Sequence, residues 1–347
     1  MADFGKSYKK YPDSFFNLMN NNRLIMIADK TLLNFKLVDI STYRDCIMGV
    51  AILWIITYHY EFEGLLAKIT DKGFVGVDMF IFVSGFGLFY SMAKNNDVLA
   101  FYRKRVIRII PMYYIMGLIN EIATMHFTLG DFMWKYSTLG FWTDGNYGFG
   151  WFIPSIIALY LFYPFIHRTI FNKENIETKV LIIIFSICSF FIIYDVLYKS
   201  IISVDHFLLL YRLPIFLGGA FFAYKLFSAK ETNNQFLLIS IFVLPLVLIR
   251  FASSEAKMVF LSTSFVAPIV MVLTCSLVKK IVLLQTVRNI GKASLEIFFI
   301  HLIVYTVYKN TGVQLVNYNV DRLVLVILVL PLGIVVHEMW SRLLAKF

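Results

Sequence analysis

Charge is what this chain is poorest in: Asp, Glu, Lys and Arg make up 16% of its 347 residues, against 59% hydrophobic ones. So little polar surface excludes a soluble globule of this size. Cysteine is scarce as well. Cys46, Cys188 and Cys275 lie far apart within apolar stretches, which argues against a disulfide framework and supplies no metal-ligand spacing, so no metal is expected. No internal repeat, low-complexity tract or linker divides the chain. Nor is there a basic, aromatic-interleaved soluble segment, so the net charge of +10 points to cytoplasmic loops beside membrane lipid rather than to nucleic acid.

What the chain has is apolar length. A spanning helix needs about 20 mostly apolar residues. Ten stretches qualify, at approximately 45–62, 73–93, 108–127, 150–167, 180–198, 207–224, 236–252, 258–278, 289–308 and 323–341. The expected fold is an all-α polytopic membrane protein with about ten transmembrane helices, in the plasma or inner cell membrane. Its 35 Phe and 20 Tyr suit lipid-facing and interfacial positions. Residues 1–42 carry no early apolar segment of the signal-peptide kind. With Lys6, Lys9, Lys10, Arg23, Lys30 and Lys36 they read as a cytoplasmic tail, leaving 43–347 as the transmembrane domain. Placing both termini in the cytoplasm puts 22 of the 32 Lys and Arg on inner segments and 8 on outer ones, as the positive-inside rule asks.

Against this apolar background the ionisable residues stand out. His59 lies near the outer end of the first span, and an ionisable group inside a spanning helix is by default a functional candidate. The bland alternative is a side chain hydrogen-bonded to water at headgroup level. Asp78 falls a few residues inside the outer end of the second span, at similar depth. It is placed either to orient His59, as a carboxylate orients a catalytic imidazole, or to cap its own helix. Ser84-Gly85-Phe86-Gly87 and Ser91 read as small residues for close helix packing. Arg212, Trp151 and, more centrally, His301 also fall in the outer half, with Glu296 deeper. Such groups must pair or line a cavity.

A second polar pole lies at the inner end. Arg44 and Asp45 precede His59 by 15 and 14 residues, so they share its face to within about 60° but lie roughly 21 Å along the axis. Arg105 and Arg108, at i and i+3, present one face of a cationic loop with Lys94, Arg103 and Lys104. That cluster is either an ordinary topogenic signal or, with Arg44, a mouth suited to bidentate phosphate contacts.

Several segments in order carry a resemblance. They are Asp45 with His59; Gly76-Val-Asp78-Met-Phe-Ile-Phe-Val-Ser84-Gly85-Phe86; Phe101-Tyr-Arg-Lys-Arg105-Val-Ile-Arg108-Ile-Ile-Pro111; Trp151-Phe-Ile-Pro154 with Tyr160 and Pro164; Arg212 with Phe216 and Gly218; and Ser294-Leu-Glu296-Ile-Phe-Phe-Ile-His301. Over about residues 40–341 the chain resembles the acyltransferase 3 family. The resemblance implies a ten-helix membrane enzyme moving an acyl group, usually acetyl, from coenzyme A to a carbohydrate hydroxyl. In that reading His59 is the family's essential histidine and Arg105 and Arg108 its Arg-x-x-Arg motif. Two positions depart from the pattern. The arginine usual eleven residues before the histidine is Met48, with Arg44 one turn earlier on the same face, and the glutamate common in the fourth helix falls at Ile156.

The mechanism expected from both lines places the donor nucleotide at Arg105, Arg108 and Arg44. His59, oriented by Asp78, is the base, and Trp151, Arg212, Glu296 and His301 lie on the acceptor side. A covalent acyl-histidine route fits the same residues. The competing reading is an exporter of a polysaccharide or lipid-linked glycan, whose intramembrane charges would form a pathway. The duplicated, broken helices common in such proteins are not evident.

Overall fold

The computed structural model describes residues 38–125, 127–146, 148–172, 174–198, 204–228, 266–278, 284–312 and 317–346. Their regular structure is helical throughout. After a single turn at Val38–Thr42 come α1 (Arg44–His59), α2 (Val75–Lys94) and α3 (Val98–Ala123). The short helices α4 (Leu129–Tyr136) and α5 (Leu139–Thr143) follow, then α6 (Phe152–Ile166), continued by a π turn at His167–Phe171. The remainder comprises α7 (Ile176–Tyr198), α8 (Val204–Phe227), α9 (Ala267–Val278), α10 (Leu284–Lys292), α11 (Ser294–Thr311) and α12 (Tyr318–Leu344).

Helix ends follow local chemistry. Asp97 accepts from the Leu99 and Ala100 N–H groups and starts α3, while Asn317 accepts from Val320 N–H and starts α12. Gly312, at φ +63°, stops α11 in the left-handed conformation that costs glycine little.

Among the described residues, five helical segments are long and apolar enough to cross a membrane: Ala67–Lys94, Val98–Ala123, Phe152–Phe171, Leu208–Phe227 and Tyr318–Leu344. Counting α10 and α11 together, bent by 76° at their junction, gives a sixth. The sequence-based expectation of ten is thus met for five to six. The first expected span, 45–62, appears as a 16-residue helix, about 24 Å long. Of the two expected spans at 236–252 and 258–278, the first lies outside the described residues and the second is described from residue 266.

Backbones touch where glycine permits. A Cβ on Gly85 of α2 would strike the Phe216 carbonyl oxygen of α8, and one on Gly219 would strike that of Phe82. The same reciprocity joins α1 to α10, where Gly49 lies against the Val287 carbonyl and Gly291 against that of Asp45. In a membrane such close approach is a main source of helix association.

The α2–α8 seam encloses a charge pair. Arg212 Nε and Asp78 Oδ1 lie 2.8 Å apart with side chains 1% and 0% exposed. Arg212 also donates through Nη1 to the Leu208 carbonyl at 3.2 Å. The Trp151 ring lies 4.7 Å from the guanidinium.

α4 and α5 form a hairpin beyond the far end of α3. Buried Glu121 of α3 accepts from Lys135 Nζ at 3.2 Å and from the Tyr136 hydroxyl at 3.1 Å. The hairpin is closed by Asn146 Nδ2 donating to Asp131 at 3.0 Å and Trp134 Nε1 donating to Asp144 at 2.8 Å. Hydrogen bonds from Asn146 and Lys135 hold the Asp131 carboxyl below its ordinary value of 3.8, and the Asn146 backbone and Trp134 indole do the same for Asp144.

Two measurements follow. Asp78→Asn leaves a sealed guanidinium without its counter-charge and is expected to cost about 3–5 kcal/mol. The double change Asp78→Leu/Arg212→Met restores most of the melting temperature in lipid nanodiscs. Because both hairpin carboxyls are depressed in the folded state, their contribution is present above their ordinary value of 3.8 and is lost as pH falls through the lower folded values. The ¹⁵N-indole resonance of Trp134, assigned with Trp134→Phe, should therefore stay fixed at neutral pH and move only in that acid range. Asp144→Asn removes the acid step.

Candidate active site: a histidine pair beyond a cationic cavity

α1 ends at His59, and the bend between α10 and α11 swings His301 toward it. His59 Nδ1 and His301 Nε2 lie 3.0 Å apart, with the rings stacked at a centroid separation of 5.1 Å. His301 Nδ1 lies 3.1 Å from the Ile297 carbonyl, one turn back on its own helix. A carbonyl oxygen only accepts, so this Nδ1 carries the hydrogen and His301 Nε2 offers a lone pair. His59 Nδ1–H then donates to that lone pair. When His59 is neutral this contact selects the tautomer with hydrogen on Nδ1, which leaves Nε2 as the unprotonated, basic nitrogen.

Tyr60 braces the pair by donating its hydroxyl to the His301 carbonyl at 3.3 Å and stacking on Tyr305 at 5.0 Å. Around the same end, the Tyr305 hydroxyl donates to Glu61 at 3.1 Å, and Lys309 lies 3.5 Å from that carboxylate. The Arg322 guanidinium is nearly sealed among the rings of Tyr305, Tyr308 and Tyr318. Sequence reasoning missed Glu61, Tyr305 and Lys309. The available signal was spacing, since Glu61 is two residues beyond His59 and Tyr305 is one turn beyond His301.

From the opposite end of the bundle a cavity of about 690 Å³ runs inward. Its mouth is cationic, with Arg44, Lys94, Lys104, Arg105 and Arg108. Ser84, Gly87, Ser91 and Tyr160 line its middle, and Ile52, Ile55 and Phe298 its far part. Ile55 is one turn before His59, and the Phe298 ring lies 5.5 Å from that of His301. The cavity therefore ends one helical turn short of the histidine pair. Half-buried His59 completes the approach from its own end.

The structure sorts the residues singled out from sequence. Arg44, Arg105 and Arg108 do meet at one mouth, and Arg105 rests on the Phe101 ring at 3.8 Å. Met48 and Ile156 line the same cavity, so its wall is apolar at the two positions that depart from the family pattern. The expected His59–Asp78 contact is not formed. Asp78 faces α8 and is held by Arg212, because its position on α2 is in phase with the Gly85 seam, and His301 takes its place beside His59. Arg212 at 1% exposure and His301 at 0% are both sealed within the bundle. Glu296 is likewise buried, 3.1 Å from His337. Trp151 packs against Arg212 and is itself half-buried. The small-residue stripe divides by phase: Gly85 packs as expected, while Ser84, Gly87 and Ser91 open onto the cavity.

A family model, described as an acyltransferase domain, matches residues 42–338. The chain belongs to the acyltransferase 3 family, and its apolar helices make it a multi-pass membrane protein. Neither the curated proteins nor the solved structures contain a match.

If His301 acts by holding His59 in one tautomer, His301→Gln, which still offers an acceptor, retains more turnover than His301→Ala. Donor KM should be unchanged in both, with the loss confined to kcat and its pH profile displaced. Equal loss of kcat and stability in the two variants would reduce His301 to a packing residue.

Proposed function

We propose that this protein is a membrane O-acyltransferase that carries an acyl group, foremost acetyl, from acyl-coenzyme A to a carbohydrate hydroxyl at the cell membrane. The observation that carries this reading is a basic imidazole nitrogen one turn beyond the end of a cation-mouthed cavity. Arg44, Arg105 and Arg108 suit a diphosphate. The apolar inner wall around Ile52 and Ile55 suits the arm that bears the thioester. Arg44 and His59 are about 22 Å apart along α1, a distance that an extended arm must cover to bring the thioester to the pair.

In the proposed step the acceptor hydroxyl gives its proton to His59 Nε2 while its oxygen attacks the thioester carbonyl. The carbon–sulfur bond then breaks, and the leaving thiolate takes the proton from His59 to depart as the free thiol. The His301 acceptor stabilises the imidazolium that forms in between, much as a carboxylate does in a hydrolase triad. Glu61, Tyr305 and Lys309 form the rim that an acceptor sugar would meet, and their polar pattern suits hydroxyl groups.

The test is turnover by protein in nanodiscs given acetyl-coenzyme A and surface glycan fragments, followed by thiol release and by the mass of the acylated product. His59→Ala should lower kcat by about 10²- to 10⁴-fold and leave donor affinity nearly unchanged. Undiminished transfer by that variant removes His59 as the base. Glycan movement across a vesicle membrane without thioester consumption favours the exporter instead.

A further inference from the structure

A second cavity, of about 750 Å³, opens beside the first at the same end of the bundle. Arg44, Met48, Lys104 and Arg108 line both and form a shared wall. The second cavity adds Arg103 and Lys292, so five cations meet there against the carboxylates of Asp45 and Glu296, the latter taken up by His337 at 3.1 Å. Arg103, Lys104, Arg108 and Lys292 are exposed at this opening, so the excess of one sign presents an attractive field to an arriving anion. Two buried donors point the same way. Arg44 Nε and Trp340 Nε1 are sealed from solvent with no hydrogen-bond partner among the described residues, and both side chains line this cavity. Buried polar groups are ordinarily satisfied, so each calls for an acceptor.

The chemistry of the walls defines the ligand. Arg103, Lys104 and Lys292 suit a phosphomonoester, and Trp340 with Ile107 and Leu344 offers an aromatic and apolar side to a flat heterocycle. Two cavities joined at an arginine wall match a molecule with two arms joined by a diphosphate. We propose that the second cavity binds the nucleotide end of the thioester donor, its diphosphate lying at Arg44 and Arg108 and its acyl-bearing arm in the first cavity. This rests on the acyl-donor reading above and replaces the simpler picture of a nucleotide held at Arg105. Phosphate of an anionic lipid shares this chemistry and is separated by the choice of bilayer.

The experiment compares equilibrium binding of coenzyme A and of 3′-dephospho-coenzyme A to the full chain in zwitterionic nanodiscs. The intact protein should prefer coenzyme A by about tenfold, the equivalent of one charge-assisted phosphate contact. Arg103→Gln/Lys292→Gln should abolish that preference while holding dephospho-coenzyme A within about twofold of the unaltered protein. Trp340→Leu should weaken both ligands together, by about fivefold or more for a lost stacking partner. Ser84→Leu, in the first cavity, should weaken both equally with the preference kept. A preference that survives Arg103→Gln/Lys292→Gln overturns the second-cavity assignment and leaves the acyl-donor reading standing. Failure of the unaltered protein to bind either ligand overturns both. Competition by phosphatidylglycerol nanodiscs that depends on Arg103 and Lys292, without any 3′-phosphate preference, assigns the cavity to lipid and also overturns the proposal.

Discussion

A charge surrounded by apolar helices has to be neutralised by a partner, face a cavity, or stand near the water. This constraint sorts nearly every ionisable residue in the bundle. Asp78 and Arg212 satisfy one another inside the α2–α8 seam. Glu296 is matched by His337, and Glu121 by Lys135 and Tyr136. Arg44, Arg105 and Arg108 instead meet hollow space. His59 and His301 form a third kind of solution, a pair in which each ring nitrogen but one is assigned a hydrogen-bond role. The exception, His59 Nε2, is where proton chemistry is possible.

Close backbone contact converts that sorting into geometry. Gly85 against Phe216 and Gly219 against Phe82 draw α2 onto α8 and fix which face of α2 is sealed. Asp78 shares the sealed side, whereas Ser84, Gly87 and Ser91 fall on the side open to the cavity. Gly49 and Gly291 do the same for α1 and α10. The break at Ala293 then lets α11 depart at a steep angle, so that Phe298 reaches the cavity end and His301 reaches His59. A bulkier residue at these seams would move His59 Nε2, because the imidazole is carried on the helices rather than on a loop.

How much was legible in sequence varied with the range of the interaction. The class of the protein, the cost of His59, the clustering of Arg105 with Arg108 and the placement of Arg44 on the His59 face all follow from composition and from the 3.6-residue period. Similar depth, in contrast, was a poor guide to partnership. Asp78 and His59 do lie toward one end of adjacent antiparallel helices, yet depth says nothing of rotation about the helix axis, and rotation is what sends Asp78 to Arg212.

Residue order alone marks the chain as a multi-pass membrane protein of the acyltransferase 3 family with a cationic inner pole and an outer pole around His59, because hydropathy, charge and ordered motifs are written locally. Packing of the helices settles that His301 rather than Asp78 contacts His59, that Arg212 is sealed, and that the arginine wall separates two cavities instead of framing one. Those outcomes depend on helix rotation and on the bend at Ala293. Both are set by contacts between residues as far apart as His59 and His301, which no local pattern encodes.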